Sequence, residues 1–195
     1  MEHPIKPQID FVVTWVDMNE PKWQEEFAQY SGKINKNKNE VVDARFRDYG
    51  LLKYWFRGVE KFAPWVRKVH FVTCGQTPEW LNPNHPKIQL VNHKDFIPEN
   101  ILPVFNSNLI EIYLHKIPDL SEHFVYFNDD FFIINDIAQE RFFLNGLPND
   151  IDAFRTNYSL SKKIILRSSS EPGKFVVVIL CHITHTKTLK CFRLS

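Results

Sequence analysis

The sequence predicts an α/β fold built on a mostly parallel sheet flanked by helices, and three observations carry that prediction. Short apolar runs alternate with segments whose apolar residues recur at helical spacing. The connections between them are mostly short, as in βαβ units. The strand-like runs are apolar throughout rather than at every second position, which fits strands covered on both faces.

Each element has its own local reason. Residues 9–16, Ile-Asp-Phe-Val-Val-Thr-Trp-Val, read as a buried strand ending at Asp17. Met18-Asn19-Glu20-Pro21 form a turn, and Pro21 can open a helix over 22–30 because its fixed φ suits a first helical turn. Residues 31–40 are polar and lysine-rich, a loop composition. A second helix is expected over 48–62, where Leu51, Leu52, Trp55, Val59 and Phe62 share a face. Residues 66–73 form the next strand, broken by Gly75-Gln76-Thr77-Pro78, with one helical turn at 79–81. Residues 88–91 are a short strand. Residues 107–115 are helical in pattern and stop at Pro118, and 124–127 are the fourth strand. After residue 161 the texture changes, leaving one strand-like run at 175–180 with no obvious partner and a basic tail.

With 195 residues there is enough chain for one domain with a real core. A net charge of +1 supplies no global field toward nucleic acid or anionic membrane, so anion binding must come from a local site. Cys74, Cys181 and Cys191 form no disulfide framework and no Cys-x-x-Cys spacing, which fits a reducing cytoplasm. The sequence shows no signal-peptide core and no apolar stretch long enough to span a bilayer.

The residues with the most chemistry lie at strand ends, where open α/β sheets bind ligands. Asn128-Asp129-Asp130 interrupt two apolar runs. Unpaired buried carboxylates are costly, so such a triplet either holds a hard cation such as Mg²⁺ or Mn²⁺ or forms a polar turn. Asp17 is a ligand or a turn and cap residue. Arg45-Phe46-Arg47-Asp48 suits pyrophosphate, since guanidinium binds phosphate oxygens in pairs, or is a surface pair with Asp48 as helix cap. Glu111 and His115 share a helical face that meets either a site or solvent. Cys181-His182-x-x-His185 has a poor ligand count for zinc.

Together these segments resemble the Stealth family. Residues 9–17 resemble its first conserved block. Arg45-Phe46-Arg47-Asp48-Tyr49-Gly50-Leu51-Leu52-Lys53-Tyr54 resembles the opening of the second. That block continues through 63–68 and Gly75-Gln76-Thr77-Pro78-Glu79-Trp80-Leu81-Asn82. It runs on through 102–107 and Ile110-Glu111 to Phe127-Asn128-Asp129-Asp130. So many motifs in order, over 8–137, make chance similarity untenable.

The resemblance implies a Rossmann-like or GT-A-like nucleotide-sugar fold, incomplete at its C-terminus. It implies transfer of a hexose-1-phosphate, such as N-acetylglucosamine-1-phosphate, from a UDP-sugar to a glycan hydroxyl in capsular or exopolysaccharide synthesis. A phosphodiester would result. Glu111 and Asp130 correspond to acidic active-site residues. Asp10, Thr14, Trp15, Asp17, Arg45 and Asn128 correspond to the substrate-binding region, and Asp129 with Asp130 to the metal region, with Mg²⁺ or Mn²⁺ as cofactor. Expected partners are the UDP-sugar and a polysaccharide acceptor. The expected location is cytoplasmic, near the inner face of the membrane. Residues 1–161 would be the N-terminal part of the catalytic domain. The family continues in two further blocks that supply a histidine and an arginine, and neither is found here. Residues 162–195 are therefore expected to be read out of frame, in a truncated product. The alternatives are an inactive nucleotide-sugar-binding fragment and a metal-dependent glycosyltransferase.

Overall fold

A parallel sheet forms the centre of the molecule. The computed structural model describes residues 8–31 and 50–149, together with the backbone of 167–168 and 175–179. The strands are β1 (Ile9–Thr14), β2 (Val69–Thr73), β3 (Ile88–Asn92) and β4 (His123–Phe127). A small hairpin follows, β5 (Phe143–Leu144) with β6 (Leu147–Pro148), and then β7 (Arg167–Ser168) and β8 (Phe175–Ile179). The helices are α1 (Pro21–Ser31), α2 (Leu52–Phe62) and α3 (Ser107–Tyr113). The main sheet runs β3-β2-β1-β4-β8-β7, parallel except for β7.

This order explains why both faces are covered. From β1 the chain steps outward to β2 and β3, then returns across the sheet to place β4 on the other side of β1. Right-handed crossovers in opposite directions put their helices on opposite faces. On one face, Trp55 and Val59 of α2 pack with Phe11, Val13, Phe71 and Phe127. On the other, Ile110 of α3 packs with Val12, Val72, Phe124 and Tyr126. Alternate residues of each strand therefore enter different cores, which is why the strands read as apolar throughout.

Most element boundaries agree with expectation, and two differences stand out. The first strand stops at Thr14, two residues early: Trp15 N–H still bonds to Val72 O at 3.0 Å, but the chain then turns, with Asp17 Oδ1 accepting from Asn19 N–H. The strand-like run near 175–180 does have a partner: β8 lies beside β4 with His123 opposite Phe175 and Phe127 opposite Ile179. The apolar residues 131–133 form no strand. They fold back over α2, where Phe131, Phe132 and Ile133 cover the core. Gly58 makes that crossing possible, since a Cβ there would lie 2.6 Å from Ile133 O. The segment is tied down further along by Ile137 N–H to Phe62 O at 3.0 Å and Trp65 Nε1–H to Ile137 O at 2.6 Å.

The end of β3 carries a titratable group that the fold holds neutral. His93 is buried, and that burial pushes its pKa down to about 4 from 6.5. The unfolded chain therefore binds a proton that the folded chain refuses between those two values. Stability should be pH-independent through this residue above about 6.5 and fall as pH drops toward 4, by on the order of 3 kcal/mol. Urea unfolding across that range should show the slope, and His93→Gln should flatten it; an unchanged slope in the variant would rule the residue out.

Candidate active site at the carboxyl end of the sheet

β1 and β4 are neighbours, and the crossovers leave them toward opposite sides. Their carboxyl ends therefore flank the topological switch point, where open α/β sheets bind ligands. Thr14 ends β1 and Phe127 ends β4. α3 lies on the face to which Thr14 and Tyr126 point. It is capped by Asn106, whose side chain accepts from Asn108 N at 3.0 Å.

Three of the expected site residues converge on a side chain that the sequence did not single out. Tyr126 is 1% exposed, and its hydroxyl lies 3.1 Å from Thr14 Oγ1. Glu111, projecting from α3, hydrogen-bonds to the same hydroxyl, and the charge of Asp129 acts on it. Burial first, then those two carboxylates, raise the Tyr126 pKa far above its ordinary value. The phenol is thus a neutral donor. In the Thr14–Tyr126 bond either hydroxyl can donate.

The triplet itself is a turn. Phe131 N–H bonds to Asn128 O at 3.1 Å, Asn128 is half-buried, and Asp129 and Asp130 are exposed. The polar turn, one of the two readings of the triplet, is what the structure shows, and it lifts the carboxylates into solvent at the strand end. The turn and ligand readings are compatible, since the turn places both carboxylates at the switch point. Among the described residues, no three His, Cys, Asp or Glu gather closely enough to hold a metal unaided.

Asp17 also forms a turn, its Oδ1 accepting from Asn19 N at 2.8 Å, three residues past the end of β1. Trp15 points to the face opposite Thr14 and packs on Phe71 with ring centroids 5.8 Å apart. It serves the core and does not join the Tyr126 cluster. Arg45 lies outside the described residues, as do Cys181, His182 and His185. His115 is half-buried in the turn that follows α3. Cys74 stands near this end, but burial pushes its thiol up to about 11, so it supplies no thiolate at neutral pH.

Asp10 departs from expectation most clearly. It is the second residue of β1, four before Thr14, so strand rise puts it roughly 13 Å from the carboxyl end. It is fully buried and bound on every side. Arg67 holds it with Nε at 2.8 Å and a terminal nitrogen at 2.5 Å, His70 Nε2 lies at 2.9 Å, and Ser121 N–H donates at 2.8 Å. Burial alone would raise the Asp10 carboxyl, but hydrogen bonds from His70, Arg67 and Ser121 outweigh it and hold the group below its ordinary value. Arg67 also reaches Asp119, which pairs with Lys68. Asp10 therefore belongs to a buried structural network that ties β1, β2 and the approach to β4, and is corrected from a substrate-binding residue to a structural one.

The sequence matches the family models for Stealth protein conserved region 1 over residues 7–35 and Stealth protein conserved region 2 over 45–150. It is 52% identical over 143 residues to the receptor polysaccharide phosphotransferase WefC of Streptococcus oralis, covering 72% of this chain and 43% of that protein. It is 48% identical over 150 residues to the capsular polysaccharide phosphotransferase WcwK of Streptococcus pneumoniae, covering 75% and 44%. To the exopolysaccharide phosphotransferase cps2G of Lactiplantibacillus plantarum it is 50% identical over 143 residues, covering 73% and 41%. The matched part of the chain thus spans less than half the length of each of these relatives. Among the described residues no helix is long and apolar enough to cross a membrane.

Proposed function

The chain belongs to the Stealth family, and from that premise we propose that it takes part in transferring a hexose-1-phosphate from a UDP-sugar to a glycan hydroxyl. The observation that carries the reading is the convergence of Thr14, Tyr126, Glu111 and Asp129 at the β1/β4 switch point. The relatives' names, all polysaccharide phosphotransferases, support the same reaction class.

In the proposed reaction the acceptor oxygen attacks the β-phosphorus of the donor. An oxygen–phosphorus bond forms, the β-phosphorus–oxygen bond to UMP breaks, and a phosphodiester results. Little covalent chemistry falls to the protein, so positioning and electrostatics carry the rate. Glu111 orients the acceptor hydroxyl and takes its proton. Tyr126 holds that carboxylate in one orientation, and Thr14 holds Tyr126. Asp129 and Asp130 fit Mg²⁺ or Mn²⁺ as a shared cargo of protein and diphosphate. Two exposed carboxylates suit such an ion when substrate phosphates complete its shell. When bound, the cation would neutralise charge on the diphosphate. Asn128, Asp17 and Arg45 are assigned to the donor side, Asn128 and Asp17 because they border the same strand ends.

Calorimetry with UDP-N-acetylglucosamine and Mn²⁺, followed by product analysis, tests the reading. Binding and a phosphodiester that keeps the sugar's phosphate would support it. A glycoside would transfer the chain to the metal-dependent glycosyltransferases, and binding without turnover would make it an inactive nucleotide-sugar-binding fragment. Asp130→Ala should reduce affinity to the level measured with a chelator present. Full metal-dependent affinity in that variant would remove Asp130 from the cation site.

A further inference from the structure

The side chain of Gln76 is buried at the carboxyl end of β2, and its hydrogen-bonding capacity is used on one segment. Oε1 accepts from Asp17 N–H at 2.7 Å, while Nε2 donates to Asp17 O at 2.7 Å and to Glu20 Oε2 at 2.5 Å. A primary amide supplies one acceptor beside two donor hydrogens, which is what this segment requires. Turning the amide over would set N–H against N–H and oxygen against a carbonyl and a carboxylate.

The platform beneath it is fixed as well. Thr73 Oγ1 donates to Gln76 O at 2.9 Å and accepts from Gly75 N at 3.1 Å. Gly75 has φ +109°, a backbone conformation that favours glycine, and a Cβ there would also press on Asn92 Nδ2 at 2.9 Å. Glu20 in turn accepts Gln24 N–H at 3.1 Å at the start of α1. One amide thus links the end of β2, the loop leaving β1 and the head of α1.

We infer that Gln76 is a positioning residue for the site: it clamps residues 15–20 in one shape at the carboxyl edge, ready to meet the diphosphate of a nucleotide sugar. The inference rests on the proposed nucleotide-sugar reading of that edge. Gln76 acts on the site through Asp17 and Glu20.

Gln76→Glu keeps the size of the side chain and changes its donors. Ionised, it cannot donate and repels Glu20; protonated, it recovers one donor. At about pH 8 its affinity for UDP-N-acetylglucosamine with Mn²⁺ should be at least about tenfold below wild type, recovering as pH falls to about 5. Wild type, measured alongside, should not show that recovery. In Gln76→Ala the Asp17 amide should exchange with deuterium at least about tenfold faster, with the Val12 and Val13 amides of β1 unchanged. Equal affinities of wild type and Gln76→Glu across that range, or unaltered Asp17 exchange, would overturn the inference. If wild type binds no nucleotide sugar, the proposed function fails on its own, and the exchange measurement decides the clamp.

Discussion

Arg67→Met should destabilise the domain by about 3–5 kcal/mol in urea unfolding, the range seen when one partner is removed from a buried ion pair. The reason is what remains. Asp10 is fully buried, and the substitution removes both guanidinium arms while leaving the charge in place. The remaining groups, His70 and the Ser121 N–H, cannot replace a bidentate guanidinium. Adding Asp10→Asn to Arg67→Met should recover part of the loss, because the buried charge goes with its partner. A loss below about 1 kcal/mol would mean that solvent reaches Asp10 and that the network is weaker than its geometry implies.

Glu111→Gln should lower turnover by roughly 10²–10⁴, the usual contribution of a positioned acid–base group, with little change in donor affinity. Tyr126→Phe removes only the hydroxyl that holds Glu111, and should lower turnover by about tenfold. The double variant should be no worse than Glu111→Gln alone, because both changes act through one carboxylate. Rates of UDP-sugar consumption in the four proteins settle the point. Additive losses would show that Tyr126 acts apart from Glu111, and a fully active Tyr126→Phe would remove it from the site.

How much of this was legible beforehand follows from the range of each interaction. β1 to β4 and the three helices could be read from local patterning, because apolar runs and helical spacing are properties of neighbouring residues. The pairing of β8 with β4 could not, since Phe175 and His123 are brought together only by the fold. Asp129 was read as a strand-end residue, with a polar turn as one of its two readings, and local sequence could not choose between that turn and a cation site. Tyr126 was invisible because a tyrosine inside His-Phe-Val-Tyr-Phe reads as core. The available clue was alternation: it shares a sheet face with Val12 and Thr14, and Thr14 already stood out. Asp10 was misplaced by its nearness in sequence to Thr14. A strand turns four residues of separation into opposite ends of a sheet, and Arg67 and His70 lie too far along the chain to be recognised as its partners.

The packing of residues 131–137 over α2 has a consequence for the carboxylates just upstream. The turn holding Asp129 and Asp130 hangs between β4 on one side and the Gly58–Ile133 contact on the other. A tip anchored at both ends loses most of its freedom when the chain folds, so little remains to be lost when a diphosphate arrives. Gly58→Ala, which would press a methyl against Ile133 O, should therefore loosen the tip. Its signature would be a less favourable entropy of UDP-sugar binding with the metal requirement unchanged.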